Sequence, residues 1–227
     1  GARYPMIKAT DWVRNPEGKI IVDPVTGLPK AGDIVAVGTS DPTVRIGLNS
    51  VMKWKGFSLA ATFDYRGGHY TRPSSEYNML FTGASYISGI SGRQRFVFPN
   101  SVIAETDASG NVTYRENTDI TVNDAGKTFW NGIYKQGRAN QIISAASWRL
   151  RELSLGYDVP KKYLKKVGFL QRASVSLVGR NLFMWTPSTN IWGDPDFTGS
   201  GNGNVGGFSG TNNVGQRSYG FNLLLSF

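Results

Sequence analysis

The sequence contains no cysteine and only one histidine, His69. Without cysteine, neither a disulfide framework nor a thiolate metal site can form. His69 follows two glycines in a predicted loop, and no Ser-His-Asp arrangement can be assembled around it, so we expect a solvated side chain and no enzymatic activity. A run of 18 apolar residues is also missing, which excludes a transmembrane helix.

Two further motifs could suggest chemistry, but both are typical of turns. Asp194 and Asp196 are paired carboxylates, as glycoside hydrolysis and calcium binding use. An Asp-Pro-Asp sequence in a Gly- and Asn-rich segment is more typical of a turn. The glycine-rich stretch 199–207 lacks the Lys-Ser/Thr of a phosphate-binding loop. We therefore expect no cofactor and no bound metal.

Charged residues are few, at 18% of the chain, and their sum is a net charge of +9. The basic residues are scattered along the sequence, with one dense cluster at Lys161–Lys166. A short basic run is usually a solvated turn, so we expect no nucleic-acid partner. Glycine (28) and the aromatics (10 Tyr, 12 Phe, 6 Trp) are plentiful, which favours strands, turns and aromatic girdles.

The last nine residues alternate between large apolar and mostly small or polar side chains. The apolar positions are Tyr219, Phe221, Leu223, Leu225 and Phe227. Such alternation predicts a strand with one apolar face. A strand of about nine residues that ends in an aromatic suits a transmembrane β-barrel, in which these five residues face the membrane. It also suits a strand of a soluble sandwich, and this segment alone leaves both open.

Four more long strands are predicted upstream. Residues 44–54 and 57–66 alternate cleanly around Lys55-Gly56, which indicates a hairpin. In residues 147–157 the alternation slips, and a bulge near Arg151-Glu152 would reconcile the two halves. Alternatively, the upper part of the strand projects beyond the membrane, where the alternation is relaxed. Residues 173–185 form the next strand, after a basic helical turn within 161–168.

Short and long connections alternate along the chain, as in outer-membrane barrels with short periplasmic turns and long extracellular loops. Five strands are too few to close a barrel, so we expect the chain to be a fragment or processed part of a longer protein. The expected segments are an extracellular loop with a local hairpin (1–43), a barrel hairpin with a short periplasmic turn (44–66), a long extracellular loop (67–144), a barrel hairpin with a basic periplasmic turn (145–184), an extracellular loop (185–216) and the terminal strand (217–227).

Several short motifs carry a resemblance to a known family. They are Asp41-Pro42 before Arg45-Ile46-Gly47-Leu48-Asn49, Trp54-Lys55-Gly56-Phe57, Asp64-Tyr65-Arg66-Gly67-Gly68, Gly92-Arg93-Gln94-Arg95-Phe96, residues 148–157, Gly179-Arg180-Asn181-Leu182-Phe183, Gly193-Asp194-Pro195-Asp196 and Phe227. Together they resemble the C-terminal barrel portion of SusC/RagA-type TonB-dependent outer-membrane transporters of the Bacteroidetes. The resemblance implies an all-β fold, the C-terminal strands of a large antiparallel transmembrane β-barrel of 22 strands, incomplete in this chain.

The same resemblance implies a function and partners. It implies that the transporter lies in the cell outer membrane, contacts outer-membrane lipid and takes up a glycan or peptide as a nutrient. It implies a SusD-like surface lipoprotein as lid, with the remainder of the barrel and the plug supplied elsewhere. Contact with TonB would run through the missing N-terminal part.

Aromatic and charged residues of the long loops are the candidate contacts with substrate or lid protein, since flat rings and a few polar groups suit a sugar or a peptide. They are Arg93, Arg95, Phe129, Trp130, Trp192, Asp194, Asp196 and Phe197. The alternative function is a secreted soluble β-sandwich that binds carbohydrate through loop aromatics. In that case Phe221, Leu223 and Leu225 would lie in a core.

Overall fold

The computed structural model describes residues 4–92, 94–122, 126–166, 168–196, 208–209 and 215–227. Within them the chain is all-β, as predicted, and its longer strands pair antiparallel. The strands are β1 (Met6–Trp12), β2 (Ile20–Ile21), β3 (Ala31–Thr39), β4 (Val44–Trp54), β5 (Phe57–Gly67), β6 (Tyr70–Pro73), β7 (Phe96–Val97), β8 (Ser101–Thr106), β9 (Val112–Glu116), β10 (Thr121–Val122), β11 (Ile143–Ser144), β12 (Ser147–Asp158), β13 (Arg172–Trp185), β14 (Phe208–Ser209) and β15 (Ser218–Ser226).

Helices are short throughout the described residues. They are α1 (Ser74–Phe81), α2 (Tyr86–Gly89) and α3 (Lys161–Leu164), with a π-helical turn at Phe129–Ile133 and 3-10 turns at Tyr134–Gln136 and Arg138–Gln141. In these parts of the chain, no helix has the length and apolar character needed to cross a membrane.

The chain divides into two units. The first unit comprises residues 1–40, 70–143 and 198–211, and the second comprises 41–69, 144–197 and 212–227. The first unit contains the antiparallel ribbon β1–β3 and the sheet β2–β8–β9. Its core consists of Trp12, Val22, Phe98, Ile103, Val122 and Phe129. Phe129 lies at the centre of this core, with its ring edge-on to that of Phe98 at 5.3 Å between centroids.

The second unit is one antiparallel sheet in the order β15-β13-β12-β5-β4. β4 and β5 are joined by the two-residue turn Lys55-Gly56, in which both residues have positive φ, 47° and 90°. Positive φ at both central positions is the geometry of a type I′ turn, whose twist matches that of the paired strands. A Cβ on Gly56 would lie 2.9 Å from the carbonyl oxygen of Asp158, so the turn also needs glycine for space.

The predicted bulge in β12 is confirmed. The register of β12 shifts between Leu150 and Glu152 against both of its neighbours. Against β5, Arg151 is the extra residue, because Leu150 pairs with Phe63 and Glu152 with Thr62. One inserted residue restores the two-residue period, so the apolar side chains before and after the bulge share one face of the sheet.

Other predictions have mixed outcomes. The strands expected at 147–157 and 173–185 are found within one residue of those bounds, and α3 is the expected helical turn. The prediction of a solvated His69 is wrong: the side chain is only 7% exposed. The carbonyl oxygen of His69 accepts a hydrogen bond from the backbone N–H of Ala145 at 2.9 Å, which draws this residue against the start of the β12 segment.

Candidate functional site

The sheet of the second unit has one face that carries charged side chains, which we call the polar face. Asp64 and Arg66 reach it from β5, and they share a face because they are two positions apart on one strand. Arg149 reaches it from β12, where the register places it directly opposite Asp64. The bulge turns Arg151 to the same side, so that its guanidinium contacts the Asp64 carboxylate.

Two carboxylates from the connection after β13 complete the cluster. Arg149 donates two hydrogen bonds to Asp194, one of them from Nη1 to Oδ2 at 2.6 Å and the other from Nη2 to Oδ1. Nη2 of Arg151 bridges Oδ2 of Asp196 at 2.8 Å and Oδ2 of Asp64 at 2.6 Å. We call the six residues the ion-pair network: Asp64, Arg66, Arg149, Arg151, Asp194 and Asp196.

The network is electrically balanced and partly sheltered from water. Its three guanidinium groups match its three carboxylates, so its net charge is zero. The side chain of Arg149 is 7% exposed and that of Asp194 is 17% exposed. Arg66 is more exposed and lies 3.3 Å from Asp196 and 3.4 Å from Asp64. A bidentate Arg–carboxylate pair fixes orientation as well as distance, so the network holds residues 194–196 in one position on the polar face.

Burial by itself would raise the pKa of Asp194. Hydrogen bonds from Arg149 and from the backbone N–H of Asp196 lower it by more, so the pKa of Asp194 lies below its ordinary value. A general acid in glycoside hydrolysis needs a carboxyl whose pKa is raised. The environment of Asp194 favours a permanent carboxylate. The arrangement is therefore suited to anchoring the segment that carries Asp194.

A cavity of about 280 Å³ opens beside the network on the polar face. The residues that line it include Arg149, Arg151, Asn181 and Arg217. Asn181 also donates a hydrogen bond to the carbonyl oxygen of Gln216 at 3.4 Å, which links the lining of β13 to the segment before β15. The side-chain N–H groups of arginine and asparagine, such as those of Arg217 and Asn181, can bind hydroxyl or carboxylate oxygens, which sugars and peptides both carry.

The opposite face of the sheet, which we call the apolar face, is apolar across all five strands. Four of its cross-strand rows are Trp54–Phe57–Tyr157–Val175–Leu223, Met52–Leu59–Leu155–Leu177–Phe221, Leu48–Phe63–Leu150–Phe183 and Ile46–Tyr65–Trp148–Trp185, and the middle row is Ser50–Ala61–Leu153–Gly179–Tyr219. Many of these side chains are exposed, with half or more of the surface accessible for Leu48, Trp54, Phe183 and Leu223. The five residues predicted to face the membrane, Tyr219, Phe221, Leu223, Leu225 and Phe227, are all exposed.

Aromatic side chains gather at both ends of the apolar face. At the end with the short turns, called the turn end, Phe57 packs on Tyr157 at 4.6 Å between centroids, and Phe169 stacks on Phe227 at 5.9 Å. At the other end, called the loop end, Tyr65 packs on Trp148 at 4.6 Å, and Phe183 stacks on Trp185 at 5.8 Å. The rows between the two ends are mainly aliphatic.

The predicted contact residues fall in different places. Phe129 is buried in the core of the first unit, and Trp130 packs against that core. Arg95 is exposed in the first unit, whereas Trp192 is half-buried in the second. Asp194 and Asp196 belong to the ion-pair network. Arg93 and Phe197 lie outside the described residues, and the role of this set as contacts stays a prediction.

Sequence reasoning did not select Arg149, Arg151, Asp64 or Arg66 as site residues. The signal that could have found them is the alternation itself, because Asp64 and Arg66 occupy the polar positions of β5. Arg149 and Arg151 stand on either side of Leu150, in the part of β12 where the alternation slips. Only the bulge and the return of residues 194–196 bring these four side chains together with two carboxylates.

The first unit contains a separate buried polar pair. Glu76 of α1 is 5% exposed, and the hydroxyl of Tyr134 donates a hydrogen bond to its Oε1. Burial raises the pKa of Glu76 to about 7, against the opposing effects of that hydrogen bond and of the Arg72 charge. Burial and the neighbouring carboxylate also raise the pKa of Tyr134. Gln141 positions the pair by donating to the Tyr134 carbonyl oxygen at 2.8 Å.

Comparisons with known proteins give a likeness of fold. No protein-family model matches the chain, and no curated protein matches it. Structures of the RagAB peptide importer in a "closed-closed" and an "open-open" state each align at 18% identity and a TM-score of 0.56 over 97% of this chain. A further RagAB peptide transporter structure aligns at 17% identity and the same TM-score over 98% of it. The chain spans only 22–23% of the length of those chains.

Proposed function

We propose that the chain forms part of the wall and outer vestibule of a TonB-dependent outer-membrane importer of glycans or peptides. The observation that carries this proposal is the five-stranded sheet of the second unit, which is mainly apolar on one face and carries charged and polar side chains on the other. Alternation of apolar residues toward lipid and polar residues toward the lumen is the pattern of transmembrane β-barrels.

Exposure of the apolar face supports contact with lipid. Soluble monomers rarely present a contiguous apolar patch larger than about 600 Å². Here the exposed residues include Leu48, Met52, Trp54, Leu155 and Leu223, on three different strands. A lipid bilayer would cover such a face without any partner protein.

The spacing of the aromatic side chains supports a membrane span as well. Phe57 at the turn end and Tyr65 at the loop end lie eight residues apart on β5. At about 3.4 Å per residue and a tilt of about 40°, they are separated by roughly 21 Å along the membrane normal. The apolar band of such barrels is about 25 Å tall, with aromatic girdles at both interfaces.

On the polar face, the ion-pair network holds Asp194 and Asp196 of the connection after β13 against the sheet. A water-filled lumen tolerates these charges, and the network neutralises them in pairs. The cavity lined by Asn181 and Arg217 is then the proposed substrate-facing feature of this chain. Arg95 and Trp192 retain accessible surface and remain proposed contacts with substrate or lid.

The resemblance in sequence motifs extends the proposal to partners. A SusD-like surface lipoprotein would cover the vestibule, and the remainder of the barrel and the plug would complete the transporter. Coupling to TonB would run through an upstream part. The chain itself is proposed to catalyse no reaction and to bind no nucleic acid.

The proposal is tested by fractionating the native source and probing for this chain. We expect recovery in the outer membrane, extraction only with detergent, and an apparent mass well above the 24.8 kDa of the chain. Recovery as a soluble particle of 24.8 kDa would contradict the proposal. It would favour the soluble carbohydrate-binding sandwich, in which the apolar face is covered by protein.

A further inference from the structure

The turn end of the second unit carries a group of basic side chains that the proposed transport role does not use. We call it the basic turn patch, and its members are Lys55, Lys161, Lys162, Lys165, Lys166 and Arg172. All six are exposed. The only acidic residue in residues 155–172 is Asp158, which forms an exposed ion pair with Arg172 at 3.3 Å.

The patch is built into the rim of the sheet. The backbone N–H of Asp158 donates to the carbonyl oxygen of Gly56 at 2.8 Å, which places the Lys55-Gly56 turn beside the segment that leads to α3. The backbone N–H of Val159 donates to the carbonyl oxygen of Ala173 at 2.9 Å, which closes the other side. Leu164 is buried, so α3 is anchored while its lysines stay exposed.

Aromatic rings of the same end interleave with these lysines. The ammonium of Lys55 lies 4.9 Å from the ring centroid of Trp54, and that of Lys162 lies 4.7 Å from that of Tyr163. Phe169 stacks on Phe227 nearby, and both are mostly exposed. Rings at the depth of lipid headgroups, with long basic side chains extending beyond them, are the arrangement that anchors proteins at a membrane surface.

The loop end differs in charge. There the guanidinium groups of Arg66, Arg149 and Arg151 are matched by carboxylates of the ion-pair network. The six basic residues of the basic turn patch against Asp158 leave a surplus of five positive charges. Paired charges give a local neutral surface, whereas a one-signed surplus attracts anions.

We propose that the basic turn patch binds the headgroups of anionic phospholipids in the membrane leaflet at the turn end. The inference rests on the proposed function, because it needs the apolar face to lie in a bilayer. Once it does, Trp54 and Phe169 set the depth of the interface, and the adjoining lysines lie at the height of the phosphates. Each basic side chain close to an anionic surface raises lipid affinity by about fivefold.

The experiment uses the full-length protein purified from the outer membrane in detergent. The protein is incubated with an equimolar mixture of phosphatidylglycerol and phosphatidylethanolamine, and retained lipids are counted by native mass spectrometry. We expect phosphatidylglycerol to be enriched at least about fivefold in the wild type. The enrichment should fall sharply in 1 M salt, because the Debye screening length between exposed charges is then only about 3 Å.

Two matched variants separate charge at the patch from charge in general. The test variant replaces four lysines by glutamine: Lys161→Gln, Lys162→Gln, Lys165→Gln and Lys166→Gln. The control removes the same number of charges from the first unit: Lys8→Gln, Lys19→Gln, Lys30→Gln and Lys127→Gln. We expect the test variant to lose the enrichment, the control to keep it, and the four Lys→Arg changes at the patch to keep it.

The possible results bear on the two proposals differently. A protein that inserts into membranes but retains both lipids equally would overturn the lipid site and leave the transporter proposal intact. So would equal enrichment in the wild type and the test variant. Displacement of phosphatidylglycerol by lipopolysaccharide at equal concentration would overturn the assignment to a phospholipid. A protein that is soluble without detergent would overturn both proposals.

If the four-lysine variant does not assemble, the variant with only Lys161→Gln and Lys162→Gln replaces it. We expect this variant to lose part of the phosphatidylglycerol enrichment.

Discussion

At the scale of single residues, Arg149 holds the ion-pair network together. It is the most buried of the three arginines and the one with a bidentate carboxylate partner, Asp194. A buried ion pair adds little stability compared with apolar residues of similar size. Removing one partner is nevertheless costly, because it leaves the other charge buried without compensation. The consequence of losing Arg149 is therefore large, even though the network carries no net charge.

We expect Arg149→Met to destabilise the protein by about 3 kcal/mol, because Asp194 would remain sheltered from water without the guanidinium that neutralises it. The measurement is the thermal unfolding midpoint of the full-length protein in detergent. Arg180→Met is the control, since its pair with Glu152 is exposed and worth less than about 1 kcal/mol. Equal effects of the two substitutions would contradict the assigned role. Adding Asp194→Asn to Arg149→Met should restore part of the loss.

A second residue with a measurable signature is Glu76. Its pKa in the folded chain is about 7, above the ordinary value of 4.5, so the folded state holds the proton more tightly than the unfolded state does. This contribution to stability is complete below about pH 4.5 and is lost as the pH rises to about 7. We expect the free energy of unfolding to fall by up to about 3 kcal/mol between pH 5 and pH 8.

The matching variant is Glu76→Gln, which keeps an acceptor for the Tyr134 hydroxyl and removes the titration. Its unfolding midpoint should change less between pH 5 and pH 8 than that of the wild type. Glu116→Gln changes an exposed carboxylate and should leave the wild-type pH dependence unchanged. If Glu76→Gln shows the full wild-type pH dependence, Glu76 is not the titrating group.

At the scale of elements, the bulge in β12 decides which side chains lie on the apolar face and which lie on the polar face. Leu150 and Leu153 are three positions apart, so a regular strand would place them on opposite faces. The extra residue Arg151 brings them to the same face and adds its own guanidinium to the opposite one. One inserted residue thus serves both the apolar face and the ion-pair network.

Deletion of Arg151 should therefore block assembly of the sheet, because every residue on one side of the deletion would exchange faces. The measurement is the fraction of full-length protein that reaches the outer membrane in a folded, heat-modifiable form. Arg151→Ala is the control, since it removes the ion pairs but keeps the register, and it should assemble with reduced stability. If the deletion and the substitution assemble equally well, the register argument is wrong.

At the scale of the whole molecule, adjacent residues on opposite faces give the sharpest test of the proposed membrane arrangement. Leu155 lies in the middle of the apolar face and Ser154 beside it on the polar face. An arginine at the bilayer centre costs roughly 2–4 kcal/mol on the lipid side and far less in a lumen. We expect Leu155→Arg to reduce outer-membrane assembly strongly and Ser154→Arg to be tolerated.

The same comparison can be made on the last strand with Leu223→Arg and Asn222→Arg. Leu223 occupies the apolar face opposite Val175, and Asn222 lies near the Ser176 hydroxyl on the polar face. Agreement between the two strands would indicate one continuous lipid-facing surface. Tolerance of arginine at both Leu155 and Leu223 would argue for a solvent-exposed sheet.

Local sequence patterns were enough to predict the all-β class and the long strands of the second unit. Side-chain alternation is a local property, and it is strong in β4, β5 and β15. It also indicated the bulge, because one inserted residue is the simplest way to restore a two-residue period that has slipped. The turn at Lys55-Gly56 could be predicted because two short-range requirements coincide there, glycine at a position of positive φ and two residues between alternating strands.

The candidate site and most of the first unit depend instead on contacts between distant parts of the chain. The ion-pair network joins residues far apart in sequence, such as Asp64 and Asp196. No local pattern predicts which carboxylate an arginine will pair with. β3, β8 and α1 were missed because their sequences lack clear periodicity. Contacts with segments that are not adjacent in sequence hold them: β3 pairs with β1, β8 pairs with β2, and Glu76 of α1 accepts a hydrogen bond from Tyr134. His69 is buried for the same reason: its environment comes from chain that lies far from it in sequence.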